Sequence, residues 1–361
     1  MKNGSKKIFS AIILAVMMFA IILILHDTED KIHNNEQNSE ETQSVIAQTG
    51  TNSYGENKKY IINEYTPDKT KNDWHKLFID DAEDIEAVQG GENDATIRQI
   101  TYGDGDGGAF VRLASGAQVK NLTTETAQCL YAQSNLLPEF DISINNAPLV
   151  LIIHTHATES YMPVESDYYD EEFNSRTTDK TQNVIAVGDE IARALEENGI
   201  GVVHDATLHD YPTHTGSYER SAETVRNILA QYPSIKIVLD IHRDSITALD
   251  GARIAPVAEI DGKKAAQVMI ISGCDDGTMN MPDYMQNFRL ACLIQNKTER
   301  TYSDLMRPIL FDYQKYNQDI TPGSLVIEVG SAANSLEQAK YAGYLLGNSI
   351  AQALISIASD T

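Results

Sequence analysis

After Pro148 the order of apolar and polar positions becomes regular. LVLIIH, Leu149–His154, is an unbroken apolar run of strand length, the pattern of a strand buried on both faces. From Asn183 to Asn198, Val184, Val187, Ile191, Ala194 and Leu195 fall on one face of a helix that Gly199 stops. GVVH, Gly201–His204, predicts a second strand. Ser217–Tyr232 predicts a helix capped by Ser217 and ended before Pro233, and IKIVLDIH, Ile235–His242, a third strand. AQVMIIS (Ala266–Ser272), a helix from Met285 to about Tyr302, LVIEVG (Leu325–Gly330) and a helix from Ser335 to about Ile357 complete the alternation. The expected fold is α/β, a mostly parallel sheet with helices on both faces. In such sheets ligands bind beyond the carboxyl ends of the strands.

The first half of the chain reads differently. Ile8 to Leu25 is an uncharged apolar run of eighteen residues, which as a helix rises roughly 27 Å and nearly matches the hydrocarbon thickness of a bilayer. Lys2, Lys6 and Lys7 precede it and Asp27, Glu29 and Asp30 follow it, so residues 1–25 are expected to form a cytoplasmic tip and a single transmembrane anchor, with the rest outside. The rival reading, a cleaved signal peptide, lacks an A-x-A-like site in HDTED. Residues 26–57, rich in Asn, Gln, Glu, Ser and Thr, are expected to be a flexible stalk, able to reach about 30 Å as a random coil. Residues 58–147 form an N-terminal subdomain of uncertain role, with WHKLFI around Trp74 suggesting a short helix and Gly103–Gly108 a turn. An EF-hand would need further ligands, which are not in register. Residues 148–361 are expected to form the α/β domain that carries the chemistry.

Composition narrows the chemistry. The formal net charge is −24, from 28 Lys plus Arg against 52 Asp plus Glu, so a phosphate backbone is repelled and nucleic acid is excluded as a partner. Cys129, Cys274 and Cys292 offer no C-x-x-C pair and no four-thiolate site, although one bridge is conceivable. A metal would therefore rest on histidines and carboxylates, a set that suits catalytic zinc. No G-x-S-x-G elbow is present for a serine nucleophile.

Three strand ends carry the polar residues. His154-Thr-His156-Ala-Thr-Glu159 leaves the first strand, Asp240-Ile-His242-Arg243-Asp244 the third, and Glu328 lies in the last. His156, Glu159 and His242 supply the three protein ligands of a catalytic Zn2+ with an open corner. Glu328 is the candidate general base. His154 is an alternative ligand or a support for the site, and Arg243 is either a group that polarises a substrate carbonyl or the partner of Asp240 or Asp244. His204, Asp205, His209 and Asp210 are read as structural or groove residues, and Tyr316–Asp319 as a turn or a contact to a polar polymer.

VLIIHTHATESY, IVLDIHRDS, YNQD and LVIEVGSAANSLEQA, in that order, resemble segments of the stage II sporulation protein P family, and the likeness runs from about Pro148 to the C-terminus. The resemblance implies a zinc-amidase or phosphorylase/hydrolase-like fold. It also implies a Zn2+-dependent N-acetylmuramoyl-L-alanine amidase, with endopeptidase action on peptidoglycan cross-links, working at the engulfing membrane beside stage II sporulation proteins D and M. The zinc amidases carry a Glu before an apolar residue and Gly in the last strand, matched by Glu328, Val329 and Gly330. Zinc carboxypeptidases also have an H-x-x-E step, which favours His156 over His154. The amidases place their Glu ligand at the start of the first helix, where this chain has Thr181, Gln182 and Asn183; Glu159 is assigned in its stead. A non-catalytic wall-binding module and a zinc carboxypeptidase with Arg243 on the terminal carboxylate are the alternative readings.

Overall fold

A computed structural model of the chain describes residues 94–358 apart from 146 and 171. The expected anchor, stalk and Trp74 helix lie outside the described residues, and among these no helix is long and apolar enough to cross a membrane. Twelve strands are β1 (Asp94–Ile100), β2 (Phe110–Arg112), β3 (Gln118–Asn121), β4 (Pro148–Ile153), β5 (Tyr168–Asp170), β6 (Gly201–His204), β7 (Ile237–Asp244), β8 (Arg253–Ile260), β9 (Lys263–Ala266), β10 (Val268–Gly273), β11 (Ile309–Asp312) and β12 (Ser324–Ser331). The helices are α1 (Ala127–Gln133), α2 (Val184–Glu197), α3 (Ser217–Gln231), α4 (Tyr284–Thr301) and α5 (Leu336–Ile357).

Eight strands make the main sheet in the order β2-β3-β11-β10-β12-β7-β4-β6. The pairs β6/β4, β4/β7 and β7/β12 run parallel, which sends the chain from each strand end into a crossover and leaves four carboxyl ends, those of β6, β4, β7 and β12, at one edge. Direction reverses between β12 and β10, which pair antiparallel. The reversal follows from the chain path: β8 and β9 form a hairpin in a second sheet, ordered β5-β1-β8-β9, and β10 enters the main sheet directly after Gln267. Gln267 is fully buried at this pivot, accepting from Tyr102 N at 2.7 Å and donating to Tyr102 O and Asp304 O at 2.9 and 2.7 Å.

Period-two alternation assigns the two faces of the sheet. Ile237, Leu239 and Ile241 of β7, and Leu325, Ile327 and Val329 of β12, join the large core with residues of α2, α4 and α5. Leu151 and Ile153 of β4 and Val238 of β7 pack instead with Val225 and Ile228 of α3 in a smaller core. Helices therefore cover both faces, with α2, α4 and α5 on one and α3 on the other. The side chains of Asp240, His242 and Glu328 share the parity of Val238 and fall on the α3 face.

The boundary expected at 147 runs through one core. Val111, Leu113, Val119, Leu130 and Ile142 belong to the large cluster, and β3 pairs with β11 inside the main sheet. Ser217 is the first residue of α3 and not its cap; Gly216 precedes it at φ 81°, a left-handed position that favours glycine. Ser335 caps α5 in a capping box with Gln338. The three cysteines are free.

Candidate functional site

The site is assembled where β4, β7 and β12 end. Beyond Ile153 the chain leaves the sheet and closes a turn, with Glu159 N donating to His156 O at 3.0 Å, so the two ends of the H-x-x-E step face one region. The turn is pinned from outside: Asp210 accepts from Thr158 N at 3.1 Å and Thr158 Oγ1 at 2.6 Å, and pairs with Arg176 Nη1 at 2.8 Å. Arg176 also reaches within 3.6 Å of Glu159 Oε1.

His242 lies at the centre of the cluster, 3% exposed. Its Nδ1 is 3.5 Å from Glu159 Oε2 and its Nε2 2.9 Å from Asp240 Oδ1, the latter an ion-pair contact off the line of a hydrogen bond. Burial disfavours the imidazolium, yet Asp240 and Glu159 together raise the His242 pKa well above its ordinary value. Burial works the other way on Asp240, but His242 and the two Thr155 hydrogen bonds win and hold it down to about 2. The Glu159 carboxyl, also pushed up by burial, is brought below its usual range by His242, Arg243 and His156. His156 stands beside this pair, its ring 5.2 Å from that of His242 and stacked at 4.3 Å on the exposed His214. Burial and the neighbouring His242 lower its pKa to about 4, so it is a neutral ring.

Glu328 is the direct cross-strand neighbour of His242. Its Oε2 is buried and without a hydrogen-bond partner. Burial first, then the charges of Glu159 and Asp244 against those of His242 and Arg307, push its pKa up to about 8. A carboxyl that holds its proton at neutral pH and has no fixed partner is equipped to exchange that proton with a bound molecule.

Two residues assigned to the site have other duties. His154 is fully buried on the opposite face, where Nδ1 donates to Ile241 O at 3.0 Å and Nε2 lies 2.8 Å from His204 Nε2. Burial and the neighbouring His204 lower its pKa well below the ordinary value. On its other side the His204 ring has Nδ1 3.0 Å from Asp189 Oδ1. His154 is thus neither ligand nor acid–base group in this arrangement. The Arg243 guanidinium is also committed: Nε donates to Ser160 O at 3.0 Å and Nη2 to Ser175 O at 2.9 Å. It forms no ion pair with Asp240 or Asp244; Asp244 pairs with Arg307 at 2.8 Å. What Arg243 contributes is position, since its backbone N donates to Glu159 Oε2 at 3.2 Å.

The His154–His204 contact exists because residue 188 of α2 is glycine. A Cβ there would lie 2.7 Å from both Nε2 atoms. Gly188→Ala, which in an open helix stabilises by about 0.5–1 kcal/mol, is therefore expected to destabilise by about 1–3 kcal/mol in urea denaturation.

Sequence reasoning did not reach His214, Tyr218, Arg176 or Arg307. Tyr218 stands edge-on to His156 at 5.4 Å and stacks on Tyr316 at 5.4 Å. Tyr316 and Asn317 both have positive φ, 44° and 58°, a costly backbone held by Asn317 Nδ2 donating to Tyr218 O at 2.8 Å. The turn reading of 316–319 is thus met, and it places an aromatic pair beside the cluster. His209 is structural, bonded to His154 O and Thr224 Oγ1.

The donor chemistry of His156, Glu159 and His242 suits zinc, and the 3.5 Å between His242 Nδ1 and Glu159 Oε2 matches the edge of a tetrahedron with ligands about 2.1 Å from its centre. As the side chains stand, however, no group of three His, Cys, Asp or Glu among the described residues is disposed to hold a metal ion. Glu159 and His242 lie side by side, and the His156 ring stands 5.2 Å from that of His242.

Fold and site together define an α/β protein with a histidine–carboxylate centre at one edge of its sheet. Residues 18–351 match the family model for stage II sporulation protein P, and the chain belongs to that family. It is 30% identical over 201 residues to the stage II sporulation protein P of Bacillus subtilis (strain 168), a match covering 53% of this chain and 47% of that protein, so the chain spans about half the length of its curated relative. Among solved structures it is similar to the N-acetylmuramoyl-L-alanine amidase AmiC2 of Nostoc punctiforme, at 13% identity and a TM-score of 0.33 over 59% of this chain and 98% of that one. It is also similar to the CwlD amidase from Clostridioides difficile, solved in complex with the GerS lipoprotein, at 12% identity and a TM-score of 0.37 over 59% of this chain and 100% of that one.

Proposed function

We propose that the chain is a membrane-anchored, zinc-dependent hydrolase of peptidoglycan that cleaves the muramoyl-L-alanine amide, and stem-peptide cross-links as well, during engulfment in sporulation. The observation that carries this reading is the unpartnered Glu328 carboxyl beside the His242–Glu159 pair. His156, Glu159 and His242 would hold the metal. When bound, zinc supplies Lewis acidity, which polarises an amide carbonyl and makes water more acidic. A cation held beside it would shift Glu328 to its carboxylate form, which would take the proton of the attacking water at the unpartnered Oε2 and return it to the departing nitrogen. Arg243, Arg176 and Asp210 keep the Glu159 turn in place, and Asp240 fixes the His242 ring. The Tyr218–Tyr316 pair offers a flat apolar surface to a sugar or peptide lying across the sheet edge.

The anchor proposed at Ile8–Leu25 confines action to wall near the membrane, with the catalytic domain outside the cytoplasm. Stage II sporulation proteins D and M belong to this proposal as partners. The carboxypeptidase alternative asks Arg243 to grip a terminal carboxylate, and its guanidinium is already spent on the Ser160 and Ser175 carbonyls. Mass analysis of muropeptides after incubating sacculi with the full chain and zinc is expected to find free stem peptides and unsubstituted glycan. Stems shortened by one residue would support the carboxypeptidase, and unchanged sacculi a non-catalytic wall-binding module.

A further inference from the structure

The loop before β12 holds Tyr316 and Asn317 in succession at φ 44° and 58°. Asparagine tolerates this region, whereas a bulky aromatic residue is an outlier there and persists only where its surroundings hold it. The hold is firm on several sides. Asn317 Nδ2 donates to Tyr218 O at 2.8 Å and to Ser221 Oγ at 3.0 Å. Gln318 accepts from Gly273 N at Oε1, 3.1 Å, and from Asn287 Nδ2 at its carbonyl, 2.8 Å. The anchoring also runs on to the histidine–carboxylate pair: the Thr155 hydroxyl lies 2.7 Å from Ser221 Oγ and donates to Asp240 Oδ2 at 2.6 Å, and Asp240 Oδ1 stands 2.9 Å from His242 Nε2. Tyr316 is thus registered against His242 through a continuous chain of polar contacts. Strain kept in place beside a cluster of titratable groups points to a task for the side chain that bears it.

The Tyr316 ring stacks on Tyr218, which stands edge-on to His156. Tyr316 is half-buried, and its phenol oxygen has no hydrogen-bond partner among the described residues and is not sealed from solvent. Burial, then the charges of Glu328 and Asp312 against that of His242, raise its pKa, so the phenol keeps its proton at neutral pH and lies in the field of Glu328. The other groups at this sheet edge leave one role open. Glu328, Glu159 and Asp240 are carboxyl groups, suited to a water or an amide N–H. The Arg243 guanidinium is spent on the Ser160 and Ser175 carbonyls, that of Arg176 is shared between Asp210 and Glu159, and Arg307 is paired with Asp244. An amide needs a donor for its carbonyl oxygen as well as an acceptor for its nitrogen. The Tyr316 phenol is a donor with no other commitment.

We infer that Tyr316 is a substrate-contacting residue of this site, its phenol donating a hydrogen bond to the carbonyl oxygen of the amide that lies against Glu328. The inference rests on the amide substrate proposed above and adds the group that orients it. It is tested by calorimetric titration of the full chain with N-acetylmuramoyl-L-alanyl-D-isoglutamine, with chelator present so that nothing is turned over. Saturable binding is expected. Tyr316→Phe, which keeps the ring and its stacking, should bind about three- to tenfold more weakly, the loss of one neutral hydrogen bond. With zinc supplied, the same variant should lose about tenfold or more in kcat, because that bond strengthens as charge gathers on the oxygen. Asn317→Asp, a residue type that still accepts the 58° φ but gives up both Nδ2 hydrogen bonds, should weaken binding in the same direction and serves if Tyr316→Phe does not fold. Equal affinity of parent and folded variants, an unchanged kcat in Tyr316→Phe, or absence of saturable binding by the parent would each overturn the assignment. A parent that binds the compound with this dependence on Tyr316 and never cleaves it would count against the proposed hydrolysis and support the contact.

Discussion

Glu328→Gln is expected to stabilise the metal-free chain by on the order of 3–5 kcal/mol at about pH 9 and by almost nothing at about pH 4. The folded protein raises this carboxyl from its ordinary 4.5 to about 8, chiefly through burial. Between those values the native state holds a proton that the unfolded chain has lost, so stability falls as pH rises. Above the folded value both states are ionised and the native state carries the full cost of a buried, unpartnered charge. Glutamine has the same shape and never ionises, so the difference between parent and variant grows with pH. Urea denaturation with chelator present, at several pH values, measures it; a gain that does not change with pH would mean that Glu328 is not held protonated. The same substitution should lower wall hydrolysis about 10²–10⁴-fold, the usual worth of a positioned acid–base group.

His242→Ala should move stability the other way and with the opposite pH trend. It leaves Asp240 and Glu159 buried without the imidazolium between them, and breaking a buried pair by removing one partner costs about 3–5 kcal/mol. His242 has its pKa raised, so its contribution is complete below the ordinary histidine value and disappears as pH climbs through the folded value. The deficit of the variant is therefore largest in mildly acidic solution and shrinks in alkaline solution. Denaturation curves that show a constant deficit at all pH values would place the ring in the neutral form.

The helices and the strands of the main alternation were readable because each carries a periodic apolar signal. The helix expected over Asn183–Asn198 and the strand over Leu325–Gly330 fall within a residue of the observed α2 and β12. The short strands β2, β3, β5 and β11, with three or four residues each, have too little length for a period to declare itself, and so the chain before 148 was not seen to belong to the same core. The reversal at β10 was hidden because a strand buried on both faces reads the same in either direction. The nearness of Glu328, His242, Glu159 and His156 was readable from their strand-end positions. His154 could not be placed, since with both faces of β4 apolar nothing in the sequence says which one carries the chemistry. Arg243 was misread because its partners are backbone carbonyls, which have no sequence signature. His214 went unseen because it comes from a loop with no periodic pattern, and only folding brings it onto His156.

The central claim is that His156, Glu159 and His242 hold one zinc ion for Glu328 to work beside. Elemental analysis of the purified full chain tests it most directly. About one zinc per chain is expected in the parent and in Glu328→Gln, and none in His242→Ala. A chain free of zinc and of any other divalent ion that still released wall peptides, at a rate unchanged by chelator, would contradict the account.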